Sequence, residues 1–169
     1  MIAPAMYSEE ILSQVGCPPG VIEHSKAVSR LAVSLAVRAR VQIDAELVRL
    51  GGLFHDIGRS RTQGIDHAIV GAAIARELGF PEPILRIIER HIGAGITAGE
   101  AARLGLPKKD YIPATPEEKI VSYADNLVMG ITVVDFEKAL ERFEKTLGAD
   151  HEGVRMFIRQ HEEIQGWLR

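Results

Sequence analysis

The sequence has a single cysteine, Cys17, which excludes an intramolecular disulfide framework and fits a reducing compartment. Aromatic residues make up 5% of it, and no cluster of them reads as a base-stacking surface. No uncharged apolar run reaches the roughly 18 residues that a membrane helix needs. The N-terminal stretch MIAPAMYSEEIL lacks a basic segment followed by an apolar core, so no secretion signal is read. Formal net charge is −3, which gives no general electrostatic reason to expect nucleic acid or acidic membrane as a partner. The cytoplasm is the default expectation. The 169 residues contain no internal repeat, low-complexity tract or obvious linker, and fit one domain with a real core.

What the chain does have is helical periodicity almost throughout. Ser8 is placed to cap a short helix through Val15, which Gly16-Cys17-Pro18-Pro19-Gly20 breaks. A long helix follows from Val21 to about Arg40, with Val21, Val28, Leu31 and Leu35 on one stripe. Asp44 caps a helix over about 45–58, and Asp66 caps one over about 67–79. Pro81 opens another that ends near Gly93. TAGEAARLG suggests a short helix, and LPKKDYIPATP an irregular surface loop. Thr115-Pro116-Glu117-Glu118 has capping-box spacing and starts a helix to about Met129. Asp135 and Asp150 start two more, to about Leu147 and Trp167. The run Ile131–Val134 has strand composition but no evident partner, and reads as a connection. The expected fold class is all-α.

The pair His55-Asp56, followed by Ile57-Gly58, closes the apolar stretch Leu47–Phe54. It offers a divalent ion one imidazole nitrogen and one carboxylate oxygen. Helix-face arithmetic finds more of the same. His24 lies four before Val28 and seven before Leu31. His67 precedes Val70, Gly71 and Ile74 by three, four and seven. His91 follows Ile84, Ile87 and Ile88 by seven, four and three. Asp125 follows Val121 by four and precedes Val128 by three. Five helices therefore turn a His or Asp inward. Burying each unpaired costs about 1–3 kcal/mol, a heavy load against a net stability of about 5–15 kcal/mol. A shared cation removes that load. Nitrogen and oxygen ligands without thiolate suit Mn, Fe, Co, Ni or Zn, with Mg fitting if waters fill the remaining positions. His151 and His161, on a charged C-terminal helix, read as solvated surface.

The order His24, His55-Asp56, Asp125 resembles the HD-domain superfamily of metal-dependent phosphohydrolases. The segment LGGLFHDIGRSRTQGIDHAIVGAAIARELG resembles its HDIG subgroup. HAIVGAAIA, IIERHIG and KIVSYADNL follow the usual course of that domain, so the resemblance covers about residues 20–130. It implies an all-α helical bundle with the metal site in its core, spanning 1–169, with helices over 135–168 packing on the core. It further implies that His24, His55, Asp56 and Asp125 bind one divalent ion. His67 and His91 match the intermediate histidines that hold a second ion or meet the phosphate. Three departures separate the chain from the cyclic-dinucleotide branch. Arg59 replaces the Lys after the motif glycine, Ile92 stands where a second tandem histidine would follow His91, and the GYP triplet is absent.

The function expected from these residues is hydrolysis of a phosphate ester or anhydride by a metal-activated water. The substrate expected is a nucleotide or related small phosphorylated metabolite. Asp56, His67, His91 and Arg59 form the expected catalytic set. Arg59 and Arg61, on the polar loop after the motif, are candidates for the phosphate because guanidinium forks suit its oxygens. Two other classes stay open: a di-iron oxygenase built on the same ligands, and a non-catalytic metal- or nucleotide-binding module. No membrane partner is expected, and a homo-oligomer is left open.

Overall fold

The computed structural model describes residues 6–168. Helix α1 (Glu10–Gln14) is capped by position Glu9, and Ser8 contributes only its carbonyl, which accepts from Ile11 N–H. Helix α2 (Pro19–Arg38) starts with Pro19 in its first turn, where the missing N–H has no helical partner to lose. Its buried stripe is Val28, Ala32, Leu35 and Ala36. Asp44 opens α3 (Ala45–Phe54) by accepting from Glu46 N–H and Leu47 N–H at 3.0 Å each. The expected helix over 45–58 stops early. Asp56 leaves helical geometry (φ −100°, ψ 15°), and the chain tightens into a 3-10 turn, Ile57–Ser60.

Helix α4 (His67–Glu77) has Asp66 at its cap position, yet the Asp66 carboxylate accepts from Thr62 Oγ1 (3.0 Å) and not from the helix. Helix α5 (Glu82–Glu89) follows Pro81, and α6 (Ala98–Arg103) is capped by Thr97. The proline-rich segment after it is less irregular than expected: Tyr111 is buried and pairs backbone-to-backbone with Ile96. Thr115 caps α7 (Pro116–Asn126) through Glu118 N–H at 3.2 Å. Glu118 does not close the capping box. Its Oε2 accepts from Ala114 N–H (2.8 Å) and from Arg90 Nη1 (2.9 Å).

The helix expected to reach Met129 ends at Asn126. Strand β1 (Val128–Met129) pairs with β2 (Thr132–Val133) across Gly130, whose φ of +64° suits a residue without Cβ. The strand partner was hidden inside an apolar segment that reads equally well as helix. Asp135 caps α8 (Phe136–Leu147), and α9 (Glu152–Leu168) ends the described chain.

Helices α2 and α3 pack closely because Gly52 presents no side chain: a Cβ there would lie 2.8 Å from Ser29 Cα. Val28, Leu35, Tyr123, Phe143, Phe157 and Ile164 form one core that joins α2, α7, α8 and α9. Leu50, Phe54, Ile57, Ile74, Ile84 and Ile88 form a second, joining α3, α4 and α5. Helix α3 serves both, since Val48 belongs to the first core. The two late histidines are not solvated surface. His161 Nδ1 sits 2.7 Å from Tyr123 Oη, and its ring stacks on Phe136 with centroids 3.7 Å apart. His151 Nδ1 accepts from Gly153 N–H at 2.9 Å. No helix among the described residues is long and apolar enough to cross a membrane.

Candidate metal centre

Asp56 stands at the centre of the site with its two oxygens facing different partners. Oδ2 lies 3.5 Å from His55 Nε2 and 3.9 Å from His24 Nε2. Oδ1 lies 3.3 Å from both His67 Nε2 and His91 Nε2. Asp125 Oδ1 completes the first half, 2.9 Å from His24 Nε2 and 3.3 Å from His55 Nε2. The structure thus brings His24, His55, Asp56, His67, His91 and Asp125 together from α2, the turn after α3, α4, the turn after α5, and α7.

Each histidine is oriented by its other ring nitrogen. Nδ1–H of His55 donates to Gly52 O (2.6 Å), that of His67 to Gly64 O (2.8 Å), and that of His91 to Ile88 O (2.7 Å). These three acceptors all lie three residues back in the chain, so each of these rings is set locally. His24 is different: its Nδ1–H donates to Gly130 O (2.6 Å) at the hairpin turn, 106 residues away. A carbonyl can only accept, so each ring in its neutral form keeps its proton on Nδ1 and leaves Nε2 as the nitrogen free to ligate an ion.

This arrangement fits a divalent cation. His55 Nε2 is fully buried and has no hydrogen-bond partner. His67 Nε2 and His91 Nε2 face each other at 3.2 Å, both beside Asp56 Oδ1. One ligand atom each from His24, His55 and Asp125 lies within 4.8 Å of the others, and so do those of His55, Asp56 and His91. Cys17 is nearby but belongs to the packing. Burial, reinforced by the Asp56 charge, pushes its thiol up to about 11, and its Sγ sits 3.8 Å from Ile57 O.

The charges in the metal-free site lean on one another. Burial disfavours a charged His55, but Asp56 and Asp125 outweigh it and lift the ring to about 9. Burial would likewise raise both carboxyls. The His55 charge, with His67 and His91 on Asp56 and His24 on Asp125, holds each well below the ordinary carboxylate range. His91 is lowered by burial and by the His55 charge, despite Asp56. An incoming ion therefore displaces a proton from His55. Apparent affinity for a divalent metal should tighten by about tenfold per pH unit from 6.5 towards 9, then level off. The same proton stabilises the metal-free fold fully below 6.5, and that contribution is lost as pH rises through about 9. A flat affinity profile across this range would remove His55 from the ligand set.

The two arginines diverge. Arg59 turns back to the cluster, with Nε 3.3 Å from Asp56 Oδ2. Arg61 does not reach it: Nη2 lies 3.4 Å from Glu77 Oε2, and the side chain is 55% exposed. The tight turn at Ile57–Ser60 sends side chains two residues apart in different directions. The sequence reading missed the carbonyl of Gly130 and a third guanidinium, Arg142 of α8, whose Nη2 donates to Asn126 O (2.6 Å) beside Asp125. Neither a backbone carbonyl nor an arginine on a charged helix carries a local signal.

The HD domain family matches residues 21–130, and the chain belongs to this family of metal-dependent phosphohydrolases. An uncharacterised protein of Methanocaldococcus jannaschii is 53% identical over 156 residues, covering 90% of this chain and 92% of that one. The tRNA (cytidine(56)-2'-O)-methyltransferase of Picrophilus torridus is 43% identical over 145 residues, covering 85% of this chain. The match takes in 41% of that methyltransferase, so the chain spans about two-fifths of its length. Among solved structures, the HD domain of the L. monocytogenes phosphodiesterase PgpH in complex with cyclic-di-AMP is similar in fold. Its TM-score is 0.58 at 20% identity, with 93% of this chain and 94% of that one covered.

Proposed function

We propose that this chain hydrolyses a phosphate ester or anhydride of a nucleotide or related small phosphorylated metabolite. The observation that carries the reading is Asp56, one oxygen turned to the His24, His55 and Asp125 group and the other to His67 and His91. Asp56 would join two ion positions, the first held by His24, His55 and Asp125, the second by His67 and His91. A divalent ion bound there supplies Lewis-acid charge for phosphoryl oxygens and lowers the pKa of water. The protein's own part is orientation: four backbone carbonyls fix the imidazoles, and the Asp56 and Asp125 carboxylates supply oxygens for cations. Arg59, beside Asp56, is the guanidinium placed to meet a phosphoryl oxygen once a cation claims the carboxylate.

Protein stripped of metal and reloaded with Mn, Fe, Co, Ni, Zn or Mg should release phosphate or a nucleotide product from a broad panel. The panel spans nucleoside mono-, di- and triphosphates, dinucleoside polyphosphates and cyclic phosphates. Oxygen uptake by the iron-loaded protein, with no phosphate product from any member, would assign the oxygenase class instead. His67→Ala and His91→Ala should each cut turnover while one equivalent of metal stays bound. Loss of all metal in either variant would reverse the ranking of the two ion positions.

Arg59→Lys keeps the charge but loses the planar fork. It should lower catalytic efficiency by about 1–3 kcal/mol, with metal content unchanged. Arg61→Ala should leave kinetics close to those of the parent chain, because its guanidinium is committed to an exposed pair with Glu77. Equal losses in both variants would mean that the loop turns Arg61 inward when substrate binds.

A further inference from the structure

We infer that the cavity between α6, α8 and the segment after α5 is the subsite for the base of a nucleotide substrate, with Arg142 as its polar gatepost. This rests on the phosphohydrolase reading of the neighbouring site. The cavity has a volume of about 310 Å³, within the range of small-molecule sites. Its walls are apolar: Ile65, Ile92, Leu104, Phe143 and Leu147 line it, together with the backbone of Gly93. Ile65, Leu104 and Leu147 are 39%, 40% and 40% exposed, so three large apolar side chains that packing leaves open to water meet at this mouth.

The cavity wall is joined to the candidate metal centre through the chain itself. Ile92 follows His91, and Ile65 lies two residues before His67. Gly93 O accepts from Asn126 Nδ2 (3.0 Å) and Ser122 Oγ (2.6 Å), which ties the cavity wall to the end of α7 that carries Asp125. Arg142 lines the cavity and donates Nη2–H to Asn126 O at 2.6 Å. Among the described residues no carboxylate neutralises it. Its guanidinium stands 5.9 Å from the Phe143 ring centroid. Among the described residues the only carboxylate lining the cavity, Glu100, is held by Arg103 at 2.7 Å and faces His151 at 3.4 Å. On this proposal a ligand reaching from the Asp56 cluster would meet Arg142, half-buried and without a carboxylate partner among the described residues, and then an apolar chamber. Phosphate and sugar followed by a flat, weakly hydrated ring have that order of chemistry. A sugar phosphate alone would leave the chamber unfilled.

The test compares nucleoside 5′-monophosphates with ribose 5-phosphate, which shares the phosphate and sugar but lacks the base. Calorimetric titration of the metal-loaded chain gives affinity, and phosphate release is followed in the same samples. At least one nucleotide should bind about tenfold or more tightly than ribose 5-phosphate, as burial of a base in an apolar chamber provides. A Leu104→Gln, Leu147→Gln double variant should collapse that ratio towards one. Both positions are exposed enough to keep the fold, which the thermal midpoint checks. Arg142→Lys, which retains a donor for Asn126 O, should weaken nucleotides and ribose 5-phosphate alike. Ribose 5-phosphate binding as tightly as every nucleotide would overturn the assignment, whether or not phosphate is released. A preserved nucleotide preference with no hydrolysis of any member of the wider phosphate panel would sustain the subsite and sink the hydrolytic reading.

Discussion

Asp56→Ala should abolish turnover and strip the protein of metal in the same step. Asp56 is the one described residue that reaches His24, His55, His67 and His91 at once, at 3.9, 3.5, 3.3 and 3.3 Å. Its loss removes a ligand from both halves of the site and leaves like-charged or lone-pair-bearing imidazoles facing each other. A thermal readout separates this from a purely catalytic defect. Free metal at about a thousand times its Kd stabilises a folded protein by about 4 kcal/mol, a rise in midpoint that the parent chain should show. Asp56→Ala should show almost none. A variant that keeps full metal content, the thermal rise and turnover would place the site elsewhere.

Gly58→Ala should disrupt the site nearly as severely, without touching a ligand. A Cβ at Gly58 would lie 1.8 Å from His67 O, 2.7 Å from Gly71 N and 2.8 Å from His67 C. All three atoms are backbone, so no side-chain rotation relieves the clash. The turn after the His-Asp pair and the first turn of α4 are packed main chain against main chain. To admit a methyl group α4 must move, and α4 carries His67. Overpacking costs about 1–3 kcal/mol and occasionally more, and the backbone nature of this contact favours the upper end. The thermal midpoint should fall by several degrees. Metal should be lost preferentially from the position that depends on His67. Gly20→Ala is the control, since nothing lies within 4 Å of a Cβ there. Unchanged midpoint and turnover in Gly58→Ala would show that α4 does not sit against the turn in solution.

The chain fixes by itself whatever depends on near neighbours. Helix periods placed His24, His67, His91 and Asp125 on apolar faces, and their cost when unpaired pointed to a cation. The rings of His55, His67 and His91 are aimed by carbonyls three residues back, so their sequence spacing alone carries the orientation. Caps were legible where a short polar side chain had an open helix end, as at Asp44, Thr115 and Asp135. They were misleading at Asp66, whose carboxylate found a nearer hydroxyl in Thr62.

What only tertiary packing decided involves partners far apart in sequence. His24 takes its orientation from Gly130, on a hairpin whose strands are too short and apolar to distinguish from a helix end. The two oxygens of Asp56 face separate imidazole groups only because four helices converge on one turn. Arg59 and Arg61 look equivalent in a polar loop, and the pitch of a 3-10 turn sends one to Asp56 and the other to Glu77. Arg142 and His161 sit on charged helices that read as solvent-facing. Packing of α8 and α9 brings the first to the Asn126 carbonyl at the end of α7 and stacks the second, half-buried, on Phe136. A hydrophobic period records which face of a helix avoids water, but not which other element covers it, and that choice belongs to the assembled core.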